Sequence, residues 1–387
     1  MWHFRSPEIV FGEDALSRLA TLTGRRVFIV TDSVIARLGF VEQVQKLLHG
    51  HHLETAVFAD VEPEPSLETA RRGAQVMTDF EPDWVIGLGG GSVLDAAKVM
   101  RVLYERPDLT HEAINPFELL GLGQVRLICI PTTAGTGAEV TAGSVLTDTT
   151  AARKLEVASY EMGADIAIVD PVFTAQLPEQ ITADTGLDVL SHAIEGYCNT
   201  WANDFTDGLC LQATRLAFKY LPRAVEHGAA DMEAREKMSN AATLAGLGIG
   251  NSHIALAHAM GHGCGALFNV PHGRITGVFL PYTIEFTANA GAGRYLDLLR
   301  FIGSTASDEL AGARQLALAL RGLYRRIGQP TSIRGIGIMP EEFGTRLNDI
   351  CDRAEMDAAL VTALRIPERA ELERLFKYAY EDKPIDF

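Results

Sequence analysis

The stretch DWVIGLGGGSVLDAAKVM, residues 83–100, decides the fold. A short apolar run reaches Gly89 and passes through Gly90, Gly91 and Ser92, with no spacer, into an Ala/Leu-rich helical pattern. This is a strand turning directly into a helix. The same unit recurs on both sides. RRVFIVTD (25–32) leads into a helical segment from Ser33, and Leu53–Asp60 is closed by the turn EPEPS (62–66). There Ser66 can cap the helix LETARRGAQVMTDF. VRLICIPT (125–132) and ADIAIVDP (164–171) are two further strands. Strand–helix alternation at this spacing predicts an α/β domain built on a parallel sheet with helices on both faces. Residues 1–12 read as a strand or hairpin, Asp14–Leu22 as a helix, and SVLTDTTAARKLEVAS (144–159) as a β-hairpin on the flank of the sheet. From about Pro178 long Ala/Leu-rich helical patterns take over, placing a boundary near residues 172–182. The expected organisation is an α/β domain over 1–178 and an all-α domain over 179–387.

Composition excludes several classes. The chain of 387 residues carries 34 basic and 50 acidic side chains, a formal charge of −16. That balance argues against nucleic acid or an anionic membrane surface as a partner. Five scattered cysteines (Cys129, Cys198, Cys210, Cys264 and Cys351) contain no CxxC pair and fit reduced thiols. MWHFRSPEIVFG has no apolar core of signal-peptide length, and no apolar run approaches the length of a membrane span. A cytoplasmic protein is expected.

Two glycine- and threonine-rich loops follow strands. Gly89, Gly90, Gly91 and Ser92 can let a pyrophosphate approach the backbone at a helix N-terminus, where free N–H groups and the helix dipole favour an anion. The spacing is not GxGxxG, and a tight turn would use the same glycines. The second loop, PTTAGTGAE (131–139), adds the hydroxyls of Thr132, Thr133 and Thr136. Two such loops at strand C-termini make a nucleotide site the favoured reading. Asp32 ends the first strand, where a carboxylate can accept from an adenosine ribose and repel a 2′-phosphate, or can cap the following helix. Asp95 can orient a cofactor amide or steady its helix, and Lys154 can reach a ribose or phosphate or stay a solvated lysine.

The third feature is a carboxylate–histidine block. In LDVLSHAIEGY, Asp188 and His192 stand four apart on one helical face. His258 and His262 repeat the spacing in HAMGH, and His272 follows in a Pro-His-Gly turn. One carboxylate with several imidazoles suits Zn2+ or Fe2+, whereas Ca2+ and Mg2+ take oxygen ligands.

With GGGSVLDAAK, PTTAGTGAEVT, DTGLDVLSHAIEGY, FTDGLCLQA and HAMGHGCGALFNVPHG in one order, nearly the whole chain resembles the iron-containing (group III) alcohol dehydrogenase family. The resemblance implies a dinucleotide-binding α/β domain and a helical domain, with metal and substrate in the cleft between them. It implies Asp188, His192, His258 and His272 as ligands of Fe2+ or Zn2+, His262 as an unliganded histidine in proton relay, and a homodimer or larger assembly. The implied reaction is hydride transfer between a small alcohol or aldehyde and NAD(H). The intact ligand set weighs against the metal-free reductases of the superfamily. A hydroxyacid–oxoacid transhydrogenase or maleylacetate-type reductase is the alternative on the same fold, and a non-catalytic nucleotide- or metal-binding protein is the alternative from another class. Three positions depart from the family pattern. Pro63-Glu64-Pro65 stands where Pro-Asn-Pro is usual, Ile366-Pro367 replaces Asn-Pro, and the extra His253 reads as structural or substrate-lining.

Overall fold

The structure is a computed structural model and describes residues 3–110, 113–116, 118–149 and 153–387. The chain divides into two compact units, Met1–Gln176 and Leu177–Phe387.

Among its described residues the first unit has eight strands: β1 (Glu8–Phe11), β2 (Arg26–Val30), β3 (Glu54–Phe58), β4 (Trp84–Gly89), β5 (Arg126–Pro131), β6 (Gly143–Asp148), β7 (Arg153–Ala158) and β8 (Ile166–Val169). Six of them form one parallel sheet in the order β1-β8-β5-β4-β2-β3. The helices of this unit are α1 (Ser33–Arg37), α2 (Phe40–Gly50), α3 (Leu67–Phe80) and α4 (Gly91–Glu105). Successive strand residues point to opposite faces, so both faces are apolar and each needs cover. Phe28, Val30, Val85, Leu127 and Cys129 pack on one face with Ala70 and Met77 of α3 and Leu94 and Ala97 of α4. Val27, Ile29, Trp84, Ile86, Ile128 and Ile168 pack on the other with Val41, Val44 and Leu48 of α2. Strands β6 and β7 pair antiparallel in register Ser144 to Val157, as the hairpin pattern predicts. Residues 1–2 and 150–152 of the sequence-based expectations lie outside the described residues.

One expectation is corrected. The segment read as a helix over Asp14–Leu22 is a 3-10 helix, Ala15–Thr21. Asp14 enters it in the left-handed region at φ 63, and its side chain makes no capping bond. Leu16 and Leu19, three apart, both enter the core, as the tighter winding allows.

The second unit is helical: α5 (Glu179–Tyr197), α6 (Asp204–His227), α7 (Met232–Asn251), α8 (Leu256–Phe268), α9 (His272–Asn289), α10 (Tyr295–Phe301), α11 (Glu309–Arg326), α12 (Ile333–Ile336), α13 (Pro340–Glu355) and α14 (Arg369–Glu381). Helix α5 is the axis of the unit. It packs against α6, α7 and α9, and every residue from Gly186 to Tyr197 is buried. A helix buried all round carries polar side chains only where they have partners, so Asp188, His192 and Glu195 call for an explanation. All five cysteines are buried free thiols. Among the described residues, no helix is long and apolar enough to cross a membrane.

Candidate metal centre and nucleotide loops

Asp188 and His192 lie one turn apart on α5, as their spacing requires. His258 sits in the first turn of α8 and His262 one turn further on. Asn269 then closes α8 in the left-handed region at φ 53, and Pro271 opens α9, whose first residue is His272. This sharp reversal brings the His272 ring back beside α8, with ring centroids 5.4 Å from His258 and 5.1 Å from His262.

The four side chains Asp188, His192, His258 and His272 each offer one ligand atom, all within 4.8 Å of one another. Asp188 Oδ1 stands at the focus, 3.7 Å from His192 Nε2, 3.8 Å from His258 Nε2 and 3.5 Å from His272 Nε2. These separations are long for hydrogen bonds. Bonds of about 2.1 Å to a central ion place tetrahedral ligands about 3.4 Å apart. Among the described residues, Asp188 Oδ1 and His258 Nε2 are buried without a hydrogen-bond partner. Both should be costly in a dry interior unless something else satisfies them.

The protonation states sharpen the point. Burial alone would raise the Asp188 carboxyl, but His192, His272, His258 and His262 together hold it below its usual value. Burial drives His258 well below the ordinary histidine value, with His192 and His272 adding to the effect against the opposing Asp188 carboxylate. His272 is driven the same way, to about 4, by burial against Asp188. Its side chain is 45 % exposed, so water screens part of that shift. His258 and His272 therefore favour the neutral form. His258 Nδ1 faces the Glu195 carboxylate at 2.5 Å, which places its proton on Nδ1. Its Nε2 lone pair then faces a carboxylate oxygen in a site with no proton to share. A divalent cation fits this donor set.

His262 is placed differently. Its Nδ1 meets Asp357 Oδ2 at 2.8 Å. Burial alone would raise Asp357, but His262, by hydrogen bond and charge, holds it below its usual value. His253 contacts its own chain neighbour, with Nδ1 3.2 Å from the Ile254 carbonyl, and meets Trp201 edge-on.

The two glycine- and threonine-rich loops follow β4 and β5. Gly90 is the N-cap of α4 and makes no side-chain cap bond. A Cβ on Gly91 would come within 2.9 Å of Thr136 Cγ2, and one on Gly89 within 2.6 Å of Val93. Thr133 is the nearest side chain to Gly90, so the two loops lie side by side at the C-terminal ends of β4 and β5. The Thr132 N–H donates to the Gly89 carbonyl at 2.9 Å, and the Ala138 N–H donates to Thr136 Oγ1 at 3.2 Å. The Ser92 hydroxyl donates to the Pro63 carbonyl. Asp32 caps α1, its Oδ1 accepting from the Val34 and Ile35 N–H groups at 2.7 and 2.9 Å. Asp95 accepts from the Val145 N–H at 2.9 Å and lies 3.6 Å from buried Lys98. Lys154 pairs with Glu64 of the Pro-Glu-Pro turn at 2.9 Å.

The family model for iron-containing alcohol dehydrogenase matches residues 6–171, and that for the C-terminal part of the Fe-containing alcohol dehydrogenase family matches residues 182–380. The chain belongs to the iron-containing alcohol dehydrogenase family. An NADPH-dependent butanol dehydrogenase of Clostridium saccharobutylicum is 35% identical over 100% of both chains. Aldehyde-alcohol dehydrogenase 2 of Entamoeba histolytica is also 35% identical, over 98% of this chain but 46% of its own length. The chain thus spans about half the length of that relative. Among solved structures of this fold, a 1,3-propanediol oxidoreductase superposes with TM-score 0.92 at 29% identity, over 98% of this chain and 100% of that one. The sulfoacetaldehyde reductase of Bifidobacterium kashiwanohense, solved in complex with NAD+, gives 0.86 at 28% identity over 98% of both chains.

Within this member of the family, two residues near the histidines escaped the sequence reading. Glu195 is one turn beyond His192 on the same face of α5, and that spacing was a usable signal. Asp357 lies 95 residues from His262, and no local pattern marks it.

Proposed function

We propose that this chain is a metal-dependent alcohol dehydrogenase or aldehyde reductase that transfers a hydride between a small alcohol and NAD(H). The observation that carries the reading is the cluster of Asp188, His192, His258 and His272, with lone pairs facing one another in a buried site. These four residues would hold Fe2+ or Zn2+, an ion that acidifies an alcohol or polarises an aldehyde carbonyl. Binding requires neutral histidines, and the surroundings of His258 and His272 lower both toward that form.

The remaining steps belong to the chain. The N-terminus of α4 at Gly90, Gly91 and Ser92 offers backbone N–H groups to a pyrophosphate, and Thr132, Thr133 and Thr136 flank it. Asp32, fixed by its capping bonds, presents negative charge where an adenosine ribose would lie, which favours NAD(H) over its 2′-phosphorylated form. The butanol dehydrogenase relative is NADPH-dependent, whereas the sulfoacetaldehyde reductase was solved with NAD+, so coenzyme choice varies among proteins similar to this one. Asp95 and Lys154 already have protein partners, so their contribution to the cofactor is to shape the loops around it. Asp357 holds His262 through Nδ1, so Nε2 is the atom that takes the alcohol proton in oxidation and returns it in reduction.

The test is anaerobic absorbance at 340 nm with metal-free and Fe2+- or Zn2+-loaded protein, NAD+ or NADP+, and a panel of small alcohols. Metal-dependent reduction of NAD+ is expected, and Asp188→Asn should abolish both metal binding and turnover. Turnover that survives complete metal removal would overturn the reading, and a preference for NADP+ would overturn the role of Asp32.

A further inference from the structure

Glu195 is an unusual residue for the interior of a helical unit. It is buried on α5, seven residues beyond Asp188 and three beyond His192. Among the described ion pairs no lysine or arginine meets it, and its one side-chain partner there is the ring of His258. Its carboxylate is instead surrounded by N–H donors. Oε2 accepts from the Ala255 N–H at 2.9 Å and meets His258 Nδ1 at 2.5 Å, and Oε1 accepts from the Ala257 N–H at 2.5 Å.

Ala255 is the N-cap of α8 and supplies no capping side chain of its own. Glu195 therefore caps α8 from another helix, and with the same group grips a histidine in the first turn. A carboxylate at a helix N-terminus is favourably placed in the dipole. Three donors on two oxygens also fix its orientation, so the His258 ring cannot rotate without breaking its hydrogen bond.

We propose that Glu195 is the positioning residue of the metal centre, holding His258 as its Nδ1–H tautomer with Nε2 aimed at the ion. The inference rests on the metal site proposed above. The histidines are not equivalent in this respect. His192 Nδ1 is buried with no hydrogen-bond partner among the described residues. His192 is oriented by stacking on His258 instead, with centroids 4.8 Å apart and planes 9° from parallel. Glu195 thus orients two ligands, one by hydrogen bond and one through the stacked ring. It also adds electron density to the imidazole it holds, which raises the basicity of Nε2 toward a metal.

The experiment compares wild-type protein with Glu195→Gln by competitive chelator titration of Zn2+, by the ligand-field spectrum of the Co2+-loaded form, and by melting of the metal-free form. The amide must present N–H to one of the three donors, so the clamp cannot be kept whole. Zn2+ affinity should fall about 10- to 100-fold, the usual effect of losing such a partner, and the Co2+ bands should shift. If Glu195 only caps α8, the metal-free protein melts lower while affinity and spectrum stay within twofold and unshifted, which overturns the proposal. If the variant does not fold, 15N-histidine spectra of the wild-type Zn2+ form decide it. A His258 proton on Nδ1 supports the proposal, and a bare Nδ1 overturns it. Failure of wild-type protein to bind Zn2+, Fe2+ or Co2+ at all would instead overturn the metal site itself, and this inference with it.

Discussion

Gly273, the residue after His272, gives the sharpest test of how the metal centre is built. A Cβ at this position would lie 2.3 Å from the Asp184 carbonyl oxygen and 2.9 Å from Asp188 Cβ, both on α5. A carbon–oxygen contact needs about 3.3 Å, so in Gly273→Ala the first turn of α9 must retreat by about 1 Å. That turn meets α5 on both sides and is bonded to it through Arg274. His272 Nε2 is 3.5 Å from Asp188 Oδ1, and Arg274 makes two bonds of 2.8 Å with the Asp184 carboxylate. Metal–ligand distances tolerate only about 0.2 Å, so a retreat of this size takes His272 out of reach of an ion held by the other three residues. Overpacking of this kind costs about 1–3 kcal/mol, which as binding energy is about 5- to 150-fold. The assay is Zn2+ affinity by chelator competition, with melting of the metal-free form measured in parallel. Gly208→Ala on α6 is the control, because nothing lies within 4 Å of the added Cβ. We expect Gly273→Ala to fold and to bind Zn2+ at least about fivefold more weakly. Wild-type affinity together with wild-type stability would refute the argument, since the contact would then not constrain α9.

His262→Ala should lower turnover by about 100-fold or more while metal content stays near wild type, measured by steady-state rate and metal analysis; loss of metal would make it a ligand instead. Arg321 and Glu285 form a buried pair at 2.5 Å, and the same carboxylate accepts from the Ile385 N–H near the C-terminus. Arg321→Met leaves that carboxylate buried and unpaired, so denaturant unfolding should show a loss of about 3–5 kcal/mol; an unchanged midpoint would mean that the carboxyl is neutralised or solvated. In the metal-free protein buried His258 and half-exposed His272 sit below the ordinary histidine value of 6.5. The unfolded chain then binds protons first, so their contribution is complete above about pH 6.5 and is lost as pH falls toward 4. Denaturation midpoints against pH should show this decline, and bound metal should oppose it until protons displace the ion.

Much of this arrangement was readable from local spacing. A strand that ends in glycine and turns into a helix is specified within a few residues, and so is a carboxylate one helical turn from a histidine. Segments 25–32, 83–89 and 125–132 became adjoining parallel strands for that reason. The segment Asp14–Leu22 was misjudged because the left-handed Asp14 leaves the helix uncapped and the turn tightens, which side-chain pattern alone does not register. Asp32 illustrates a residue whose two readings are compatible, since capping occupies one carboxylate oxygen. Glu64 is a different case. Its departure from the usual asparagine brings a partner of its own, because Lys154 on the neighbouring hairpin neutralises it.

The side chains that orient the histidines follow another logic. Asp188 and His192 sit one turn apart on α5, His258 lies one turn before His262 on α8, and His272 follows in the next turn, so short motifs bring the set into view. Each orienting carboxylate acts across helices: Glu195 on α5 serves α8, and Asp357, beyond the end of α13, serves His262 on α8. Such pairs depend on how helices pack, and packing here turns on close approaches such as Gly273 against the α5 backbone. The chemistry of the donors is therefore carried by short motifs, while their tautomers and aim are carried by the tertiary fold. A variant that preserves every motif but alters a packing contact should keep the ligand set and lose its geometry. Gly273→Ala and Glu195→Gln both leave Asp188, His192, His258 and His272 untouched, so weakened Zn2+ binding in the two variants would separate aim from identity.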